Sequence, residues 1–576
     1  MKQKLLFGIG FLMMAAMTAF AQQDLNKTVQ VSRTYEGQLM STAKPAVPVD
    51  YSDTLNRFKL RFDYKFAERP YRDLYEFSPV RFASYQQEGQ VIYPQFFANL
   101  SLAYPWMPEG DLYIQPRLGK NWSLVLYGNH RSFWGKVPAQ QVDPVSGALS
   151  KGKKKPYGDR MSNQTGARIG YAWGLGDVSL GFDYGSHYRS YYGASYGSDT
   201  DLPSAGLKLD DHAFLRDSLS HQYDKMAVDV KVRSTNPDLS SFYYGVDLRY
   251  IQTKDRVDVP LARWNAPVAE HLIEGNVELG MTFQGGHRIL LDIESTNALS
   301  AEDCGLLEVI PRYRYERGRW LVDAGFALSG MYAPEGQDLA MAHFYPDVSA
   351  YFETIEGKLW LYGRVEGDNV LNTRSSMLDF NPWLAPQVPV AITHIPLQGE
   401  LGARGLLWNV FTFNFSCVYG QIENRMIATA NLMQPIRFEE QVRRLKVLGS
   451  FLWKTRDFDG GIEVSYAHYQ GPDTGYHPVM MAPSWEGRAY ARYNLRERFV
   501  FSVDAQYCSA VWGDMGKSGV VELPSFLDLE ARMTYVYNRR FSFYLKGDNL
   551  INETIQHIPG YVEPGINFGL GVCCKF

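Results

Sequence analysis

The acidic residues of the segment 189–220 are the side chains whose type and spacing come nearest to a metal site. Asp199 and Asp201 flank one threonine, and Asp210 and Asp211 follow further along the same segment. Carboxylate oxygens at such spacing can ligate Ca²⁺, but an EF-hand loop also needs a glycine turn and a distal glutamate at fixed positions, which are absent here. The pattern favours a solvated acidic loop, and we predict no metal site and no cofactor.

The same segment is rich in tyrosine. Tyr191, Tyr192 and Tyr196 lie close to Asp199 and Asp201, so the five residues together are our candidate contacts for a ligand. Tyrosine rings stack on sugars and bury a large area at little entropic cost. The alternative is that they anchor the loop at a membrane interface or pack within it.

The sequence contains no recognisable catalytic motif. It has no Gly-x-Ser-x-Gly, no His-Glu-x-x-His and no phosphate-binding loop, and its 11 histidines are scattered. Its five cysteines are an odd number, which favours buried or lipid-facing thiols over a disulfide framework. We therefore predict no catalytic residues and no enzyme activity.

Composition excludes several other classes of protein. The 58 basic and 62 acidic residues give a net charge of −4, which lacks the concentrated positive field of a nucleic-acid binder. An aromatic content of 14% is too high for a disordered chain. The mean hydropathy of −0.27 alone is typical of a soluble protein.

The first residues predict export. Met1 to Ala21 has a short basic start and an apolar run, and it ends in Ala19-Phe20-Ala21, with small residues at both positions that a signal peptidase inspects. The run is shorter than the roughly 20 residues of a membrane-spanning helix. We expect residues 1–21 to be a cleaved signal peptide and the mature chain to start at Gln22.

The rest of the chain alternates between apolar and polar residues with a period of two. In the segment 525–537, for example, Leu527, Leu529 and Ala531 fall on one face, whereas Asp528 and Glu530 fall on the other. Runs of about ten residues are longer than the five or six usual in soluble sandwiches and match strands that cross a bilayer. A polar lumen also explains the negative hydropathy, so the sequence predicts an all-β, transmembrane antiparallel β-barrel.

The lengths of the connections support the barrel over a β-sandwich. We predict twenty-two strands between residues 94 and 576, with the second strand at 111–118. From the second strand on, they are joined alternately by tight turns and by long loops such as 130–162, 189–220 and 367–393. Outer-membrane barrels have short periplasmic turns and long external loops, whereas sandwiches do not segregate their loops. An even count places both termini on the periplasmic side of the outer membrane of a Gram-negative bacterium.

The C-terminus resembles a known family. Asp548-Asn549-Leu550-Ile551-Asn552, the run from Pro559 to Phe568 and the terminal Phe576 are similar to the closing segment of TonB-dependent receptor barrels. The resemblance implies twenty-two strands and a terminal aromatic residue, Phe576, that the outer-membrane insertion machinery recognises.

The segment 22–93 departs from that family. TonB-dependent receptors carry a longer, glycine-rich plug domain inside the lumen, and this segment shows neither that pattern nor a box for contacting TonB. We therefore predict a plugless relative, in which 22–93 is a periplasmic or lumenal extension and 94–576 is the barrel. Its partners would be outer-membrane lipid, the insertion machinery and a periplasmic or lumenal protein bound through 22–93.

The expected function is to move, or help to move, a solute or polymer across the outer membrane. The polar lumen would be the path and the long loops would recognise the solute. Two alternatives stay open: a passive porin, and a scaffold barrel that transports nothing and docks a periplasmic or surface partner.

Overall fold

The structure is a computed structural model, and it describes residues 95–576 except for 139, 143–148, 152–154, 194–219, 235–241, 259–267, 301–302, 333–341, 385–387, 389, 409, 432–433, 473–477 and 517–518. The predicted signal peptide with Ala19 and Ala21, the extension 22–93, and the loop residues Tyr196, Asp199 and Asp201 lie outside the described residues.

The described residues form a protein of β-strands with one short helix, α1 (Arg374–Phe380). The strands, in chain order, are β1 (Phe96–Tyr104), β2 (Met107–Ile114), β3 (Trp122–Phe133), β4 (Gln140–Val142), β5 (Leu149–Lys151), β6 (Arg160–Trp173), β7 (Gly176–Ser190), β8 (Ser220–Ser234), β9 (Phe242–Asp258), β10 (Val268–Phe283), β11 (His287–Leu299), β12 (Cys304–Arg317), β13 (Trp320–Tyr332), β14 (Ala342–Ile355), β15 (Leu359–Asn372), β16 (Ala391–Leu407), β17 (Phe411–Ala428), β18 (Ile436–Lys454), β19 (Phe458–Gln470), β20 (Trp485–Leu495), β21 (Phe499–Cys508), β22 (Val511–Asp514), β23 (Val520–Leu523), β24 (Phe526–Val536), β25 (Phe541–Asp548), β26 (Gln556–Ile558), β27 (Tyr561–Val562) and β28 (Asn567–Lys575).

Twenty-two of these strands make one closed antiparallel sheet. Each pairs with its neighbour in the chain, and the ring closes where β1 pairs with β28, from Phe97 opposite Lys575 to Tyr104 opposite Phe568. The predicted fold and strand number are confirmed. The other six strands pair two by two as hairpins within long connections, and we did not predict them: β4 with β5, β22 with β23, and β26 with β27.

The two faces of the barrel differ in chemistry. On β18, Leu445 and Val447 are 40% and 47% exposed on the outside, whereas Val442 and Arg444 are buried on the inside. Similar apolar side chains are exposed around the wall, such as Leu401 at 72% and Leu570 at 64%. Such a continuous apolar belt would be costly in water and suits the hydrocarbon of a bilayer.

The two ends of the barrel also differ, as the loop lengths predicted. Tight turns join the strands at one end, and we call it the turn end; β1 begins and β28 ends there. Gly286 in one such turn has φ +85°, and a Cβ atom on it would lie 1.8 Å from the carbonyl oxygen of Glu316, so only glycine fits. Most of the connections at the other end, the loop end, are long; the exceptions are the two residues between β1 and β2 and the four residues between β11 and β12.

The second strand was predicted in the wrong place. We expected 111–118, but β2 begins at Met107, because only Pro105 and Trp106 separate it from β1 and Ala103 already pairs with Met107. Pro108 and Gly110 disfavour a strand locally. Pairing with β1 along the whole of β2, and with β3 from Glu109 on, outweighs that preference.

Among the described residues, no helix is both long enough and apolar enough to cross a membrane.

Candidate functional site

The connection between β15 and β16 folds into the lumen at the loop end. We call residues 373–390 the mouth segment; the structure describes all of it except 385–387 and 389. It starts at Thr373, whose hydroxyl accepts a hydrogen bond from the Ser376 amide at 3.2 Å and so caps α1. The segment continues through Asn381, whose side-chain amide donates to the carbonyl of Pro435 at 3.0 Å.

Apolar contacts hold the mouth segment against the inner wall. Met377, Leu378 and Leu384 are completely buried, and they pack in one cluster with Tyr223 of β8 and with wall residues Met426 and Ile436 of β17 and β18. Full burial of each of these three side chains contributes about 1.5–3 kcal/mol to stability. The loop end of the lumen therefore has an apolar core of its own.

A buried ionic cluster anchors α1 to β8, β9 and β10. Glu270 accepts hydrogen bonds from the backbone amides of Arg374 and Ser375, at 2.7 and 2.9 Å. The Arg374 guanidinium pairs with Asp255, which also bonds to the imidazole of His221. The other ring nitrogen of His221 lies 2.6 Å from the carbonyl oxygen of Pro382, so this one side chain contacts both wall and segment.

Three aromatic residues from separate connections meet at the centre of the loop end. We call Tyr192, Trp383 and Tyr561 the aromatic cluster. Trp383 stacks on Tyr561 with ring centroids 4.0 Å apart, and Tyr192 meets Tyr561 edge-on at 5.2 Å. The Trp383 indole donates to the carbonyl of Ser190 at 2.9 Å, and the Tyr192 hydroxyl donates to that of Val562 at 3.0 Å.

The two described tyrosines of our candidate ligand contacts lie inside this packing. Tyr191 is 3% exposed, stacks on His221 at 5.9 Å and donates its hydroxyl to the carbonyl of Leu384 at 3.2 Å. Burial raises the pKa of both Tyr191 and Tyr192, so both hydroxyls stay protonated and remain hydrogen-bond donors. Ligand contact by these tyrosines stays a prediction.

Below the mouth segment, the inner wall is polar and charged. One cavity of about 660 Å³ is lined by Asp528 and Glu530 of β24, which the sequence pattern places on the polar face of that strand, and by Arg488 and Arg492 of β20. The hairpin β26–β27 lines the same cavity and connects it to the aromatic cluster, because Tyr561 belongs to both the hairpin and the cluster. The mouth segment borders this polar chamber, because Phe380 at the end of α1 also lines the cavity.

Sequence reasoning did not identify the residues that close the mouth. Arg374, Trp383 and Tyr561 lie in connections without periodicity, and Asp255 and Glu270 lie within strand patterns that carry no sign of a partner. The Thr373 cap inside a long connection was the one local signal of an ordered segment.

Phe576 lies at the seam of the barrel. Its backbone exchanges two hydrogen bonds with Phe96, at 2.9 and 3.1 Å, and its ring, 52% exposed, lies between those of Phe96 and Phe541. Recognition of this residue by the insertion machinery stays a prediction.

Comparison with known proteins gives a match to structures alone. No protein family and no curated protein matches the sequence. The FrpB iron transporter of Neisseria meningitidis has 11% identity and a TM-score of 0.64, over 85% of this chain and 82% of its own. The ferric-catecholate import receptor Fiu of E. coli has 12% identity and a TM-score of 0.59, over 84% and 82%. The siderophore receptor PiuA of Acinetobacter baumannii has 11% identity and a TM-score of 0.60, over 84% and 82%.

At identities of only 11–12%, the TM-scores of 0.59–0.64 show a shared fold. The twenty-two strands, the closing pair and the similarity of the closing residues agree with one another. The barrel has the fold of the TonB-dependent receptor barrels, as the C-terminal residues predicted.

Proposed function

We propose that this chain is a gated outer-membrane barrel that moves a polar solute, with the mouth segment as its gate and the charged chamber as its path. The observation that carries the proposal is the combination of a packed apolar mouth with a polar cavity directly inside it. The apolar belt supports a location in the bilayer, and the turn end would face the periplasm.

The contacts of the mouth segment suit a gate that opens as a unit. The segment has its own helix, and it is joined to the wall by ionic contacts at Arg374 and at Lys225, whose ammonium group bonds to the Ser375 carbonyl at 2.7 Å and pairs with Asp379. Ionic and aromatic contacts of this kind have two discrete arrangements, made or broken, as a switching element needs.

Conductance measurements distinguish the proposed gated barrel from a passive porin. The variant that tests it replaces residues 374–389 by a glycine-serine linker of the same length, and the comparison is single-channel conductance in planar bilayers. We expect the unaltered protein to conduct little and the replaced variant to conduct steadily, because the mouth packing is gone. Equal and steady conductance from both would identify a passive porin.

The scaffold alternative separates by deletion of residues 22–93. If the deletion removes a co-purifying protein but changes neither the conductance of the barrel nor solute uptake by cells, the result would count against transport. We expect instead that uptake depends on the mouth segment. The solved barrels named above are described as iron or siderophore importers, and our proposal takes from them only movement across the outer membrane.

A further inference from the structure

Arginine is concentrated in three neighbouring turns at the turn end of the barrel. We call the following exposed residues the basic arc: Arg456 of the β18–β19 turn, Arg496 and Arg498 of the β20–β21 turn, and Arg539 and Arg540 of the β24–β25 turn. The same three turns hold two carboxylates, those of Asp457 and Glu497. The arc therefore carries an excess of positive charge at the surface.

The turns of the other sector lack this excess. The turns β6–β7, β10–β11, β12–β13, β14–β15 and β16–β17 together hold two basic residues, Arg319 and Lys358, and one acidic residue, Glu356. On the far side of the seam, the β2–β3 connection adds Arg117 and Lys120. The positive charge of the turn end thus belongs to the sector around the seam.

Backbone hydrogen bonds join the three turns of the arc into one edge. In each bond, a strand amide donates to a carbonyl of the preceding turn at 2.8 Å: Asn494 to Asp457, Val536 to Arg498, and Lys575 to Arg540. Neighbouring strands lie about 4.8 Å apart, so successive turns of the arc are spaced by about 10 Å. The arc is therefore one fixed surface rather than three separate loop tips.

The guanidinium groups of the arc are available to an anion. Among the described residues, Arg496, Arg498 and Arg540 form no ion pair, although carboxylates lie in the same sector. The Arg498 guanidinium donates to the carbonyl of Tyr537 in the next turn, at 3.1 Å. A guanidinium is a planar fork of donors that matches the oxygens of a phosphate group.

The β20–β21 turn carries its charges at a cost in backbone energy. Arg496 and Glu497 have φ of +53° and +58°, a region that favours glycine or asparagine. The turns β12–β13 and β14–β15 place glycine at such angles, with Gly318 at +62° and Gly357 at +64°. An arginine in this position is not explained by the turn geometry, so its charge needs another reason.

The arc is continuous with the surface that faces lipid. The guanidinium of Arg540 lies over the ring of Phe576, 5.7 Å from its centre. Phe576 is 52% exposed, and Phe543 and Leu545, further along β25, are 49% and 48% exposed. Trp453, at the end of β18, is 44% exposed beside the first turn of the arc. Aromatic side chains at the end of an apolar belt mark the level of the lipid headgroups.

We propose that the basic arc binds the headgroups of anionic phospholipids in the leaflet at the turn end. The phosphate would accept from the guanidinium groups, while the acyl chains would lie along Phe543 and Leu545. Continuity with the apolar belt favours a lipid over an acidic protein, because a lipid fills both surfaces at once. The inference rests on the proposed function only for the location of the barrel in a bilayer.

Native mass spectrometry of the full-length barrel in detergent measures the binding of single lipids. Phosphatidylglycerol is the anionic probe, and phosphatidylcholine is the probe without net charge. We expect phosphatidylglycerol to bind about tenfold or more tightly, since each basic side chain near a membrane surface attracts anionic lipid. In vesicles of the two lipids, the preference should weaken when salt rises from about 0.15 M to about 1 M, where the screening length falls from about 8 Å to about 3 Å.

Two double variants with the same loss of charge locate the site. Arg496→Gln with Arg540→Gln should weaken the binding of phosphatidylglycerol by about tenfold or more. Arg319→Gln with Lys358→Gln also removes two positive charges at the turn end, but in the other sector, and should leave binding unchanged. Each variant must shift on unheated gel electrophoresis as a folded barrel does.

The results that overturn the lipid site leave the gate untouched. Equal binding of both lipids, or equal losses in the two double variants, would overturn the proposal. Tighter binding of lipid A than of phosphatidylglycerol would assign the arc to lipopolysaccharide and overturn it as well. Binding of poly-glutamate without any lipid preference would identify an acidic protein as the partner instead. None of these results depends on the conductance of the variant with the replaced mouth segment, so the two proposals fail separately.

Discussion

Trp383 stacks on Tyr561 at a centroid distance of 4.0 Å, although the two residues belong to connections on different strands of the ring. Trp383 follows α1 in the mouth segment, and Tyr561 opens β27 in the last connection before the closing strand. This one contact joins the proposed gate to the hairpin β26–β27, which lines the chamber.

Removing that contact should loosen the mouth. We expect Trp383→Ala and Tyr561→Ala each to raise the frequency of channel opening in planar bilayers. The pair should couple by about 0.5–1.5 kcal/mol in a double-mutant cycle on the opening equilibrium, as aromatic pairs do. Trp408→Ala is the control, because Trp408 is 82% exposed at the turn end. Strict additivity of the two single changes would contradict a shared contact.

The anchor of α1 offers a second prediction. Glu270→Ala removes the acceptor of two backbone amides and leaves them buried, which costs about 1–3 kcal/mol for each orphaned group. We expect the mouth segment to become sensitive to protease in intact purified barrels. Glu278→Ala, on the same strand and also facing inward, should change nothing. Equal cleavage of both variants would show that Glu270 does not hold the segment.

Close backbone approach at the mouth predicts a glycine requirement. Gly560 has φ +84°, and a Cβ atom on it would lie 2.2 Å from the carbonyl oxygen of Gly193. Gly519 has a similar φ of +75° but no atom within 4 Å of that position. Gly560→Ala should therefore increase conductance, whereas Gly519→Ala bears only the backbone penalty. The prediction fails if the two variants conduct alike.

The apolar belt predicts a difference between adjacent residues on β18. Val447 points outward and is 47% exposed, whereas Leu448 next to it points inward. Val447→Arg should lower the free energy of unfolding in lipid vesicles by about 2–4 kcal/mol, the cost of arginine near the centre of a bilayer. Leu448→Arg should cost clearly less. Urea titrations followed by tryptophan fluorescence give both values, and equal costs would argue against a lipid-facing belt.

The terminal residue can be tested against another phenylalanine of the same strand. Phe576 and Phe568 are 52% and 59% exposed, so an alanine removes similar lipid contact at each. If the insertion machinery reads the C-terminus, Phe576→Ala should reduce the amount of folded barrel in outer membranes far more than Phe568→Ala does. Similar yields would assign Phe576 to packing at the seam alone.

The sequence by itself determined the barrel. The outward positions of Leu445 and Val447 on β18 can be predicted from the local sequence, because successive side chains of a strand point to opposite faces. Loop lengths gave the strand number, because tight turns and long loops alternate between the two ends of a barrel. Placement of β2 failed because pairing with β1, which begins at Met107, outweighed the local preference of Pro108.

Only the tertiary structure decided what fills the lumen. His221 meets the carbonyl of Pro382 across 161 positions of the chain, and Arg160 meets Glu563 across 403. The long connections have no periodic pattern from which their contacts could be predicted. Their inward-folded side chains meet only because the sheet closes into a ring. Asp528 and Glu530 are predictable as inward charges of β24 from its alternation, but the side chains that stand opposite them depend on which strands the closed sheet sets beside β24.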